Sequence, residues 1–79
     1  PDAARSLHDL GMLLRAAGEF SDGVEALREA LSLRRAALGE SHPLTASSRA
    51  ALGQVLVESG DFVAAALHLR AAVEGMEKE

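Results

Sequence analysis

The chain has 79 residues, enough for one small domain, and 48% of them are hydrophobic while only 3% are aromatic. Its formal net charge is −4 and it has no cysteine, which excludes disulfides, thiol nucleophiles and thiolate metal sites. An acidic chain without Tyr or Trp is a poor nucleic-acid binder, and no apolar run or signal peptide indicates a membrane. The compartment is left open, with the cytoplasm as our expectation.

The first half of the chain has the apolar spacing of two amphipathic helices. The first helix is predicted at about residues 3–17, with apolar positions at Leu7, Leu10, Leu14 and Ala17. The pair Gly18-Glu19 interrupts this pattern. The second helix is predicted at about residues 21–38, with apolar positions at Phe20, Val24, Leu27, Leu31 and Leu38. Because so short a turn reverses the chain, we expect an antiparallel pair.

The second half repeats this organisation after a loop that starts at Gly39 and ends at Pro43, a residue suited to the first position of a helix. The third helix is predicted at about residues 44–59, with Leu52, Val55 and Leu56 facing inward. The fourth is predicted at about residues 62–77, with inward positions at Phe62, Ala65, Leu69, Ala72, Val73 and Met76. No strand-like alternation interrupts the helices, so the predicted fold class is all-α.

Residues 42 positions apart match along the chain, beginning with Pro1 and Pro43. Further matches include Ser6 with Ser48, Leu10 with Leu52, Gly11 with Gly53, Gly18 with Gly60, Phe20 with Phe62 and Leu27 with Leu69. A fixed period in this range indicates a repeat protein, in which each unit covers the apolar face of its neighbour. We therefore divide the chain into repeats at residues 1–42 and 43–79. Because the second period is incomplete, we interpret the chain as a piece of a longer protein.

Four glycines recur at this period and suggest two structural roles. Gly18 and Gly60 stand at the chain reversals and are predicted to adopt a positive φ angle. Gly11 and Gly53 lie inside helices, where glycine costs about 1 kcal/mol relative to alanine. We expect both to be retained because a missing Cβ lets the paired helix approach closely.

These residues resemble the tetratricopeptide repeat, a helix pair with Leu-Gly in the first helix, glycine before the turn and an aromatic residue after it. The first copy carries the pattern at Leu10, Gly11, Leu14, Gly18, Phe20, Gly23, Leu27 and Ala30. The second carries it at Leu52, Gly53, Leu56, Gly60, Phe62, Ala65, Leu69 and Ala72. The long period, with Ala37-Leu38-Gly39 and His42-Pro43, is similar to the kinesin light chain variety. The resemblance implies two antiparallel hairpins stacked as a short right-handed α-solenoid, a protein-binding scaffold without a cofactor.

The resemblance also implies that the first helix of each pair lines a concave groove. The candidate groove residues are Arg5, His8, Met12 and Arg15 in the first repeat, and Ser47, Ala50, Gln54 and Val57 in the second. Arg5 and Arg15 would pair with acidic or C-terminal carboxylate groups of a peptide. The alternative interpretation is a solvated helix face. The Lys/Asn clamp of some family members is absent, since Met12 and Gln54 occupy key places, and no kinesin-like cargo is inferred.

No constellation of residues indicates catalysis, a cofactor or a metal. His8 and Asp9 diverge by about 100° around a helix and cannot orient one another. His42 is expected to be a loop or cap residue and His68 to be half exposed. The chain has no glycine-rich phosphate loop with lysine. We predict that the chain is not an enzyme.

The last helix is apolar on a face that no later helix covers, and such patches attract partners. The residues expected there are Val63, Ala66, Leu67, Val73 and Met76. They predict self-association, as a homodimer or by end-to-end stacking. In the core, truncation of Leu10 or Leu52 to alanine is expected to cost about 2–5 kcal/mol.

The main functional prediction is a scaffold module that binds a peptide or partner protein on its concave face. One alternative is a structural segment whose contacts are mostly with copies of itself. Another is a regulatory sensor repeat fused to a bacterial kinase or ATPase. The sequence does not identify the partner.

Overall fold

The computed structural model describes residues 2–60 and 62–77, and the side chains of residues 2–60 and 66–76. It contains four helices, α1 (Ala3–Ala16), α2 (Phe20–Leu38), α3 (Pro43–Ser59) and α4 (Phe62–Glu77). Each helix packs on the next one in the chain, whereas α1 and α3 touch at few points. No strand occurs in the described residues. The prediction of two stacked helical hairpins is therefore confirmed.

The turn between α1 and α2 is closed by a Schellman motif. The Gly18 N–H donates to the Arg15 carbonyl at 3.0 Å, and the Glu19 N–H donates to the Leu14 carbonyl at 2.8 Å. This motif requires a positive φ, and Gly18 has a φ of 82°. Gly60 ends α3 in the left-handed conformation with a φ of 98°. Both glycines adopt the conformation that the sequence predicts.

A cap and an ion-pair network hold the loop between α2 and α3. His42 Nδ1 accepts a hydrogen bond from the Leu44 N–H at 3.0 Å, as expected of a cap residue. The Glu40 carboxylate binds Arg35 of α2 at 2.6 Å and also binds Arg49 of α3. These contacts fix the direction in which α3 leaves the loop.

Helices α1 and α2 approach closely where Gly11 faces Gly23, and both glycines are buried. A Cβ atom on Gly11 would lie 2.6 Å from Leu27 Cγ and 3.2 Å from the Gly23 carbonyl oxygen. An alanine would therefore clash with a side chain that has no room to move, since Leu27 is fully buried. The predicted packing role of Gly11 is confirmed. Gly53, its equivalent in α3, is also buried.

The core lies between α2 and α3. Its buried cluster consists of Leu27, Leu31, Ala51, Leu52, Val55 and Leu56, with Met12, Phe20 and Val24 packed against it. Leu52 is fully buried, but its equivalent Leu10 is 46% exposed, so the prediction of a core role for Leu10 was wrong. The reason is that Leu52 packs into the preceding hairpin, whereas no hairpin precedes Leu10 in the described residues.

The outer face of α4 is more exposed than the sequence predicts. Leu69, Val73 and Met76 are 36%, 53% and 50% exposed, and Ala72 alone is buried among the described α4 side chains. The side chains of Phe62 and Ala65 lie outside the described residues. Leu38, at the end of α2, is also exposed, because it lines a cleft rather than the core. Among the described helices, none has the length and hydropathy needed to cross a bilayer.

Candidate functional site

A cleft of about 500 Å³ opens between the N-terminal half of α1, the C-terminal half of α2 and the start of α3. It is lined by Asp2, Ala4, Arg5, His8, Asp9, Leu33, Arg34, Ala37, Leu38, Leu44 and Ser47. The two first helices of the hairpins form its walls, and α2 supplies its base. This is the place where a groove between neighbouring repeats is expected.

The base of the cleft holds a buried arginine. Arg34 is only 7% exposed. Its Nη1 group donates to Ser48 Oγ at 2.9 Å and to the Leu44 carbonyl at 3.2 Å, and lies 3.5 Å from His8 Nδ1. These acceptors come from α1 and α3, so a single guanidinium on α2 connects three helices.

His8 completes this polar network on the α1 side. Its Nδ1 atom lies 3.2 Å from Ser48 Oγ. Because Ser48 already accepts from Arg34, its hydroxyl proton is free for donation to His8 Nδ1. Burial, together with the nearby Arg34 charge, lowers the pKa of His8 below its ordinary value, and Asp9 opposes this shift. The lowered pKa favours the neutral form of His8, whose Nδ1 accepts the Ser48 hydroxyl proton at the edge of the cleft.

The rim of the cleft is exposed and carries both signs of charge. Arg5 Nε lies 4.0 Å from Asp9 Oδ2, and both side chains are largely in solvent. Such a pair contributes little to stability, roughly 0–1 kcal/mol, and is easily rearranged. Ser47 lines the opposite wall, on α3. Arg5, His8 and Ser47 are thus the predicted groove residues that the structure brings together.

The next two predicted residues on α1 have other partners. Met12 packs against the buried core cluster. Arg15 is held by Glu58 of α3, through Nε to Oε1 at 2.6 Å and Nη2 to Oε2 at 2.9 Å. This two-point pair lowers the pKa of Glu58. Arg15 therefore joins α1 to α3 in the described structure, and its guanidinium already holds a carboxylate.

The remaining three predicted residues lie on α3 away from the cleft. Ala50 is half-buried, whereas Gln54 and Val57 are exposed, and none of them lines this cleft. They sit one repeat after His8, Met12 and Arg15, which contact α3 and the core. In the described residues, no first helix covers this α3 stripe as α3 covers its equivalent on α1.

Sequence reasoning assigned no partner to Arg34, because an arginine near the C-terminal end of a helix is favourable to the helix dipole. The signal was present, because Arg34 follows Leu27 and Leu31 at intervals of seven and three residues. It therefore continues the buried stripe of α2. An arginine in an apolar stripe is a candidate for a buried polar network.

The sequence of the chain matches the tetratricopeptide repeat family over residues 2–78. The chain therefore belongs to this family. Repeats of this kind form scaffolds that mediate protein–protein interactions. Comparison with curated proteins gave no match. In the described part of the chain, no three His, Cys, Asp or Glu residues lie together as metal ligands would.

Proposed function

We propose that this chain binds an extended segment of a partner protein in the cleft between α1 and α3. The observation that carries this proposal is the composition of the cleft. Leu33, Leu38 and Leu44 line it and are 40%, 42% and 47% exposed. Polar groups of Arg5 and Ser47 stand beside them. Apolar walls with a few polar groups are typical of a peptide-binding site.

The cleft is also preorganised, which reduces the entropic cost of binding. Its walls are helices, and the Arg15 pair with Glu58 and the Arg34 network fix α1 against α3. A peptide would meet a surface whose backbone is already in place. Within the predicted groove, we assign ligand contacts to Arg5, His8 and Ser47, and a structural role to Met12 and Arg15.

The proposal is tested by NMR titration of the 79-residue chain with a blocked pentapeptide that carries glutamate between two leucines. We expect amide shifts to cluster on residues that line the cleft. Ser47→Phe, which fills the cleft from α3, should abolish these shifts. Gln54→Phe is the matched control, since it adds the same ring to an exposed site of the same helix outside the cleft. Shifts that survive Ser47→Phe would contradict the proposal.

A second function, end-to-end self-association, is favoured by a comparison of the two repeats. Leu69 and Val73 of α4 are 36% and 53% exposed. Their equivalents in α2, Leu27 and Leu31, are only 0% and 4% exposed, because α3 covers them. Leu10 of α1 is exposed where Leu52 of α3 is buried. The α1 face of one copy therefore has the residues to cover the α4 face of another, as α3 covers α2.

The other residues expected at this end face agree with the proposal where they are described. Leu67 and Met76 are 66% and 50% exposed, and Ala66 is also exposed. The Val63 side chain lies outside the described residues. The face is apolar enough to favour association.

Mixing two variants tests this stacking. Val73→Lys damages the α4 face and Leu10→Lys damages the α1 face, so each variant alone should be monomeric in analytical ultracentrifugation. A mixture should form a dimer, because each variant keeps one intact face and the contact is head-to-tail. Ser32→Lys, on the exposed side of α2 that faces α3 and α4 of the same copy, should associate like the parent chain. A parent chain that stays monomeric at high concentration would contradict the proposal.

A further inference from the structure

We propose that Arg34 forms a carboxylate-binding site at the base of the cleft. It would receive an aspartate or glutamate side chain, or a C-terminal carboxylate, of the bound peptide. This inference rests on the proposed function, because it assigns one chemical group to a ligand of the same cleft.

The first argument is that Arg34 is buried without an acidic partner. The residue is 7% exposed, and no carboxylate of the described residues lies within 4.0 Å of its guanidinium. Arg5, Arg15, Arg35 and Arg49 each have such a partner. Burying a cation is costly unless it is paired, so a ligand anion would find a strong attraction there.

The second argument concerns the hydrogen-bond donors of the guanidinium. All its contacts with the described residues run through Nη1, to Ser48, Leu44 and His8. Nη1 holds the group in a fixed orientation. The Nε and Nη2 groups have no acceptor among the described residues, and Arg34 lines the cleft. Together they form the two-point donor edge that matches a carboxylate.

The third argument is the arrangement of the surrounding side chains. The two acids that line the cleft, Asp2 and Asp9, are exposed, and Asp9 lies against Arg5. Leu33, Leu38 and Leu44 line the same cleft as Arg34. A carboxylate flanked by apolar side chains fits this distribution better than a free inorganic anion, which would leave the leucines uncovered.

The site occurs once in the chain, which supplies a natural substitution for testing it. The equivalent of Arg34 in the second repeat is Met76. Arg34→Met therefore places a side chain that the repeat already carries at this position. Ala37→Glu is an independent variant. It adds a carboxylate three residues further along the same helix. This carboxylate would form an intramolecular ion pair with the free edge of the Arg34 guanidinium and leave the Nη1 contacts intact.

The experiment is an NMR titration that follows the Arg34 Nε–H resonance and the amides around the cleft. The probes are the blocked pentapeptide with glutamate between two leucines and its glutamine counterpart. A third probe is the glutamine peptide with a free C-terminal carboxylate, and inorganic phosphate is a fourth. Thermal unfolding establishes that each variant is folded. Arg28→Met is the matched control, since Arg28 lies on α2 outside the cleft.

We expect the glutamate peptide to bind at least about tenfold more tightly than its glutamine counterpart, and to shift the Arg34 Nε–H resonance. Arg34→Met and Ala37→Glu should remove this preference, and Arg28→Met should retain it.

If only the free-acid peptide binds more tightly than the blocked glutamine peptide, the site is assigned to C-terminal carboxylates. Equal binding of the glutamate, glutamine and free-acid peptides in the cleft would overturn the carboxylate site and leave peptide binding intact. Binding of phosphate as tight as that of the peptides would also overturn it. No binding by any peptide would refute both proposals.

Discussion

The contact of His8 with Ser48 and Arg34 shows how one polar network fixes three helices. Arg34 donates to Ser48 at 2.9 Å, and Ser48 Oγ lies 3.2 Å from His8 Nδ1. The network needs His8 as an acceptor, because a protonated imidazole has no lone pair to offer. A proton on His8 would also place a positive charge next to Arg34. The stability of the folded chain is therefore linked to the protonation of this residue.

This linkage predicts that stability falls in mild acid. Burial and nearby arginines lower the pKa of both His8 and His68 below the ordinary 6.5. The unfolded chain then binds protons more readily than the folded chain below about pH 6.5, so the free energy of unfolding should decrease as pH falls through the folded pKa values. Above about pH 6.5, the free energy of unfolding should not depend on the protonation of these two histidines. Denaturant titrations at a series of pH values measure the effect.

The double variant with His8→Asn and His68→Asn provides the comparison. Asparagine keeps an acceptor near the position of Nδ1 but does not titrate in this range. We expect its stability to change less between about pH 6.5 and 5 than that of the parent chain. An equally steep loss in the double variant would show that other groups control the acid response.

At the scale of the helix, Gly11 is the position where packing and helix propensity oppose each other most clearly. Alanine would gain about 1 kcal/mol in propensity, but its Cβ would lie 2.6 Å from Leu27 Cγ. Overpacking of this kind typically costs about 1–3 kcal/mol. Since Leu27 is fully buried and contacted from α3, it cannot move aside. We therefore expect Gly11→Ala to destabilise the chain by about 1 kcal/mol, as measured by thermal unfolding.

Gly75→Ala in α4 is the control for this prediction. A Cβ at Gly75 would meet Ala46 Cβ and the Glu40 carbonyl oxygen at 3.8 Å, which is ordinary van der Waals contact. The propensity gain should then appear as a small increase in stability. If both substitutions stabilise the chain, α1 and α2 are farther apart than described.

The helices themselves could be predicted from the sequence because local signals mark their ends. Gly18, Gly60 and Pro43 specify turns and starts through backbone conformation alone, which depends on few neighbours. The role of Gly11 was also predictable, since two glycines at one repeat position indicate a packing constraint. The apolar stripe of α2 signals the burial of Arg34, but its hydrogen-bond partners could not be predicted, because His8 and Ser48 lie 26 and 14 residues away on other helices. Its acceptors on α1 and α3 become neighbours only when the hairpins stack.

At the scale of the whole molecule, residues at equivalent repeat positions do not have the same burial. Leu10 and Leu52 are the same residue at the same repeat position, but only Leu52 lies between two hairpins. The period predicts which residues correspond, and the number of neighbouring repeats decides which are buried. For the same reason Leu69, Val73 and Met76 of α4 are exposed, although the sequence predicts that they face inward. The boundaries at residues 42 and 43, and the kinesin light chain variety, stay predictions.

The central claim is that two equivalent hairpins stack so that the second covers α2 of the first. Denaturant unfolding of Leu52→Ala and Leu10→Ala tests it most directly. We expect Leu52→Ala to lose about 2–5 kcal/mol or to unfold the chain, because it leaves a cavity between the hairpins. Leu10→Ala should lose about 1 kcal/mol or less, because the side chain is already 46% exposed. Equal losses for the two variants would contradict the stacking.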